Sequence, residues 1–298
     1  MKFFYHFLFL LSFSLSFFVS CKSVQKTWIV DASSMKKDVN KVKKDAFILF
    51  TGSDWDEDSK NILAKDLKTE LFSKYAKFFL FYNVDIVREE KKADAKILKT
   101  NYMLFSQYKI EDLPYIVVRN YEGDVYFSSK IENIDNLSEV LKKILEKKSY
   151  ITSLKHKIKN SLGKERIIAI DEFFSSIHND DAPSYDTLRD EAIRSDEKNE
   201  TGLLEKFKWN KTSLKAERLM LQKKYLEAAD EYIIILKDNI LRKENRQIAW
   251  YQIAYLYALS KKISNEKIIY CLNNAINVAP DSKAVPNLRE IIMKLEKK

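Results

Sequence analysis

Two cysteines and three histidines are the residues of this chain best suited to covalent or metal chemistry: Cys21, Cys271, His6, His156 and His178. No two of them have the spacing of a zinc or iron–sulfur site, which needs paired ligands such as C-x-x-C or H-x-x-x-H. His156 and His178 stand in Lys- or Asp-rich surroundings that read as solvated helix or loop, so no histidine-based triad is expected. Carboxylates cluster in the turn Gly52-Ser53-Asp54-Trp55-Asp56-Glu57-Asp58-Ser59. A calcium loop starting at Asp54 would need Gly at its sixth position and Glu at its twelfth, where the chain has Ser59 and Lys65. The same acidic run suits a helix N-terminus, whose dipole favours negative charge without a metal. No metal and no organic cofactor is therefore expected.

The elements that must position these groups follow from composition and patterning. The chain has 298 residues, 46% hydrophobic and 32% charged, with only 4 Gly and 4 Pro. That suits one or two globular domains and excludes collagen-like, Pro-rich and mostly disordered chains. The charge excess is spread evenly: residues 1–150 carry 25 basic and 21 acidic groups (+4), and residues 151–298 carry 27 and 22 (+5). A nucleic-acid binder gathers its basic groups on one stripe or arm, so no nucleic-acid partner is expected. Residues 27–150 alternate strand and helix signals. Trp28–Asp31, Ala46–Thr51 and Phe78–Val87 are apolar runs of strand length. Ser33 or Ser34 can cap a helix to about Lys44, and residues 60–75 and Ile97–Tyr108 have helical spacing. Tyr115–Arg119 and Val125–Ser129 flank the turn Glu122-Gly123-Asp124 as a hairpin, and Leu137–Leu145 closes the unit. The order is an α/β sandwich. From Tyr150 onward helical periodicity takes over.

Residues 1–20 carry Lys2 and then an apolar stretch from Phe3 to Val19, short for a membrane span and of signal-peptide form. The ending Phe18-Val19-Ser20-Cys21 resembles the bacterial lipobox, with Phe18 where Leu is usual. The resemblance implies lipidation of Cys21, a membrane anchor and export to the periplasmic face, with residues 21–26 as a short tether. Several acyl chains make a stable anchor, at about 0.8 kcal/mol per buried CH₂.

Within 27–150, Trp55-Asp56-Glu57-Asp58-Ser59-Lys60 follows a strand where the thioredoxin family has Trp-Cys-x-x-Cys-Lys. Ile110-Glu111-Asp112-Leu113-Pro114-Tyr115 falls where that family has its cis-proline. The unit resembles a thioredoxin-like domain in which Trp55, Lys60 and Pro114 persist while Asp56 and Ser59 replace both redox cysteines. The family's buried acid falls at Leu49 or Phe50. Disulfide exchange requires a thiolate, and neither Asp nor Ser can form a mixed disulfide.

In residues 151–298 two segments resemble tetratricopeptide repeats. Trp250, Ile253, Ala254 and Tyr257, with Ala275 and Pro280, match one copy. Ala216, Leu219, Tyr225, Ala228 and Tyr232 match an earlier one, with Lys223 where the family often has Gly. A more degenerate pair covers 151–178, and Val285–Leu295 is the expected capping helix. Cys271, among Ile268, Ile269 and Leu272, reads as a small buried hydrophobe. The resemblance implies a groove lined by the first helix of each pair. Tyr251 and Tyr255, one turn apart, and Glu217 and Met220 in the earlier copy would face a protein partner. The chain thus reads as a non-enzymatic cell-envelope lipoprotein, an adaptor or assembly factor. The alternative is a thioredoxin-family protein of envelope thiol–disulfide or chaperone chemistry, using Cys271 or a partner's cysteines.

Overall fold

The structure, a computed structural model, describes residues 28–65, 70–89, 94–131, 137–179 and 181–297. The expected signal segment 1–20, Cys21 and the tether 21–26 lie outside the described residues. The N-terminal part runs β1 (Trp28–Ile29), α1 (Met35–Val42), β2 (Asp45–Thr51), α2 (Glu57–Lys65), α3 (Glu70–Tyr75), β3 (Phe79–Asp85), α4 (Ala95–Gln107), β4 (Tyr115–Arg119) and β5 (Val125–Lys130). Its five strands form one mixed sheet in the order β1-β3-β2-β4-β5. β1 and β2 pair with β3 in parallel, and β4 is antiparallel to both β2 and β5. β2 is central and buried along its whole length, which its unbroken apolar run demands.

Side chains alternate across the sheet with the period of two that a strand imposes. Phe47, Leu49, Phe79, Phe81, Ile116 and Val118 face one side. Ala46, Ile48, Phe50, Tyr82, Val84 and Val117 face the other, towards α1 and α4. The first face is aromatic: the Trp28 ring meets Phe72 edge-on at 4.8 Å, and Phe47 stands 5.3 Å from Phe81. Such pairs add about 0.5–1.5 kcal/mol each beyond the area they bury.

The helical part is α5 (Leu137–Asn160), α6 (Gly163–Phe174), α7 (Asp186–Ser195), α8 (Leu204–Leu221), α9 (Tyr225–Leu236), α10 (Lys243–Ser260), α11 (Asn265–Val278) and α12 (Val285–Glu296). The change of pattern at Tyr150 is no break in the backbone. α5 is one helix of 24 residues across that point, and Leu141, Ile144, Ile151 and Leu154 are all buried on it. One apolar cluster runs from Trp28 on the sheet through α5 and α6 to Phe207 at the start of α8. A second begins at Ala216 and ends at Ile292. In apolar packing, α8 itself is where one core gives way to the next.

Several local expectations change. Asp31, not Ser33 or Ser34, accepts a backbone bond at the first turn, from Ser33 N at 2.9 Å. The helix after the acidic turn opens at Glu57, three residues early, because Asp56 caps it. Leu162 leaves its expected stripe: α5 ends at Asn160 and Leu162 is 85% exposed. His178 is exposed in the segment after α6, as its surroundings suggest, yet it is anchored to β5. Its backbone N–H donates to Val125 O, its Nδ1 lies 2.7 Å from Ser128 Oγ, and burial together with Lys147 lowers its pKa. Asn179 Oδ1 accepts from Val125 N at 2.8 Å. Residues 178–179 thus cover part of edge strand β5, whose open backbone groups would otherwise invite pairing with another chain.

Candidate functional site

The turn between β2 and α2 is closed on itself by hydrogen bonds. Asp56 Oδ2 accepts from Ser59 N at 2.8 Å and from Ser59 Oγ at 2.5 Å. Ser59 is fully buried, and its Oγ accepts from Gly52 N at 3.0 Å. Asp and Ser at these two positions therefore make an N-cap, the role for which short polar side chains are preferred at helix starts. Asp54 accepts from the backbone N–H groups of Arg88 and Glu89 at 2.9 and 2.7 Å. Asp85, at the end of β3, accepts from Thr51 Oγ1 and Ser53 N at 3.0 and 2.8 Å, and from Ser53 Oγ. Trp55 donates from Nε1 to Ile86 O at 2.6 Å, and the Arg88 guanidinium lies over its ring at 4.1 Å. Gly52 permits that arrangement, since a Cβ there would meet the Trp55 ring at 2.7 Å. The Lys60 side chain forms an exposed pair with Glu57 at 3.3 Å. Pro114 is buried, the Leu113–Pro114 bond is cis, and Pro114 O accepts from Ile131 N at 3.0 Å.

Asp54 and Asp56 thus act as acceptors for backbone and hydroxyl donors. Among the described residues no group of three or more His, Cys, Asp or Glu could hold a metal ion. Sequence reading singled out the carboxylates of the turn but missed Asp85 and Arg88, which complete it from β3 and its exit. Their signal was weak, because nothing in the spacing links residue 85 to residue 53 before the parallel pairing of β2 and β3 is known.

Consecutive helices from α8 to α12 pack against one another. The small residues Ala216, Ala228, Ala254 and Ala275 are all buried there, where their size lets helices approach closely. Lys223 has φ +61°, the left-handed conformation that Gly adopts without cost. Gln247 is buried and donates from Nε2 to Ala275 O and Ala279 O at 3.0 and 3.2 Å, which ties α10 to the end of α11. Of the four residues expected to line a groove, Tyr255 is 45% exposed and Glu217 is exposed. Tyr251 and Met220 instead pack partly against the second apolar cluster. Ile248 joins Tyr255 as an exposed apolar side chain on α10. Cys271 is 3% exposed on α11, and burial raises its thiol pKa. A buried, protonated thiol is a poor nucleophile.

A family model described as "Uncharacterised protein C-terminal domain" matches residues 203–298. A protein of Treponema pallidum (strain Nichols) described as "Uncharacterized protein" is 26% identical over 279 residues, covering 92% of this chain and 91% of its own length. A solved structure titled "DsbH Oxidoreductase" is similar to 38% of this chain and 80% of its own, at 22% identity and a TM-score of 0.33.

Proposed function

We propose that the chain is a cell-envelope lipoprotein that works by binding a protein partner and not by catalysis. It would be anchored through Cys21, carry a thioredoxin-like unit without redox chemistry, and present tetratricopeptide-like helix pairs as the partner surface. The observation that carries this reading is the capping pair Asp56–Ser59, where a reactive dithiol would have to be. The strand order around β2 supports the thioredoxin-like part. The buried alanines and the left-handed Lys223 support the repeat-like part.

Tyr255 and Ile248 on α10, with Glu217 on α8, are exposed and open to a partner. Tyrosine suits that role because it joins apolar area to a polar tip. The test is a photo-crosslinking amino acid placed at Tyr255 in intact cells, with the exposed Tyr102 on α4 as control. A discrete adduct at position 255 that is absent at 102 is expected, and it should weaken when Ile248 is changed to Ser. Equal labelling at both positions, or none at 255, would remove this surface from the account.

A further inference from the structure

Between β4, the C-terminal end of α4 and the segment that follows α6 lies a cleft of about 550 Å³. That is within the range of small-ligand sites, about 300–1,000 Å³. Val117, Val125 and Pro183 give it apolar walls. Two of its lining residues, Arg119 and Tyr108, each carry a buried polar atom, Nε and Oη, that has no hydrogen-bond partner. Buried polar groups in native proteins nearly always have partners, so two in one cleft ask for a reason. The Arg119 guanidinium also has no ion pair among the described residues. Gly123 makes room for it, since Arg119 Nη2 lies 3.0 Å from where a Cβ on Gly123 would stand.

The other charges of the cleft are largely accounted for. Arg218 is held by Asp186 at 2.5 Å and by Asp181 O at 2.7 Å. Lys109 and the Asp181 carboxylate, both exposed, lie on the rim with opposite signs. Burial and the nearby Lys147 both disfavour a charge on His178 and lower its pKa. What remains is the positive charge of Arg119 with a phenolic donor in the same cleft, between apolar walls. A guanidinium edge and a hydroxyl suit the two oxygens of a carboxylate, and one net charge suits a monoanion.

We propose that this cleft binds a carboxylate attached to a small apolar group, with Arg119 and Tyr108 as its donors. The source is either a free organic acid or the C-terminus of a peptide. The site is separate from the surface around Tyr255 and does not depend on it. The test is calorimetric titration of the purified full-length protein with four probes: 4-methylpentanoate, N-acetyl-trialanine, the C-terminal amide of that peptide, and inorganic phosphate. Saturable binding of at least one of the two carboxylates is expected, with the amide and phosphate inert. Binding of the acid alone would identify a small metabolite as the source, and binding of the peptide would identify a chain terminus.

Arg119→Gln and Tyr108→Phe should each weaken binding by about tenfold or more, the effect of losing a hydrogen bond to a charged group. Tyr108→Phe should leave the melting temperature unchanged or raise it, because the buried hydroxyl it removes bonds to nothing in the protein. If Arg119→Gln fails to fold by circular dichroism, Tyr108→Phe decides alone. No binding of either carboxylate, equal binding of the amide or phosphate, or full affinity in the folded variants would overturn the proposal.

Discussion

Asp56 and Ser59 show how one pair of side chains settles what a turn can do. A thiolate pair there would have to be exposed enough to attack a disulfide. Ser59 is instead fully buried, and it links the α2 cap to Gly52 N. The turn spends its polar groups on the backbone of its own helix and of the β3 exit. Asp56→Ala should therefore lower stability by about 1 kcal/mol, the usual cost of removing an N-cap, as read by urea unfolding. A change within error would mean that α2 does not depend on this cap. The acidic turn and its place before a helix were legible in the sequence, because Asp and Glu at a helix start have a local cause. Its closure by Asp85 and Arg88 was not, since those contacts exist only after two distant strands pair. Arg119 and Tyr108 were hidden for the same reason: one ends a strand and the other a helix, and only the folded sheet brings them to one cleft.

Among elements, strands and helices read well wherever their apolar period was strong. β2 has a continuous apolar run and β3 a mostly apolar one, and both are strands of the sheet. Helix ends read poorly. Leu162 fits the stripe of Leu154 and Ile158 by spacing, yet the backbone leaves α5 at Asn160 and turns through Gly163 at φ +55°. Lys223, between α8 and α9, holds a conformation that costs an L-residue about 1–2 kcal/mol. Lys223→Gly should raise stability, by about 0.5–1 kcal/mol once the greater freedom of Gly in the unfolded chain is counted. Thermal unfolding checks it, and a lower midpoint would show that the Lys223 side chain contributes more than its backbone strain costs.

Between α6 and α7, Arg166 bonds Glu191, with Nη2 to Oε2 at 3.1 Å, and this bond holds the Glu191 carboxyl below its ordinary pKa. A depressed folded pKa gives stability that is present above the unfolded value, near 4.5, and is lost as pH falls through the folded one. The pair is about a third exposed, so its worth at pH 7 is under about 1 kcal/mol. Glu191→Gln should show that small loss in urea titrations at pH 7, and the loss should shrink as the pH falls below the unfolded value. A loss that does not change with pH would assign the effect to packing.

At the scale of the whole molecule, the sheet and the helices share material. The aromatic core begun at Trp28 continues along α5 to Phe207, so the N-terminal part and the first helices have one apolar cluster between them. The pairs from α8 to α12 then extend outward on a second core. That continuity was not legible, because the change from period two to helical period at Tyr150 looks like a boundary in a one-dimensional pattern. The most direct measurement is the insulin-reduction assay on the purified protein, with thioredoxin as the positive control. The account predicts no turnover above background, because the motif positions carry no sulfur and Cys271 is buried and protonated. Turnover that disappears in Cys271→Ala would contradict it.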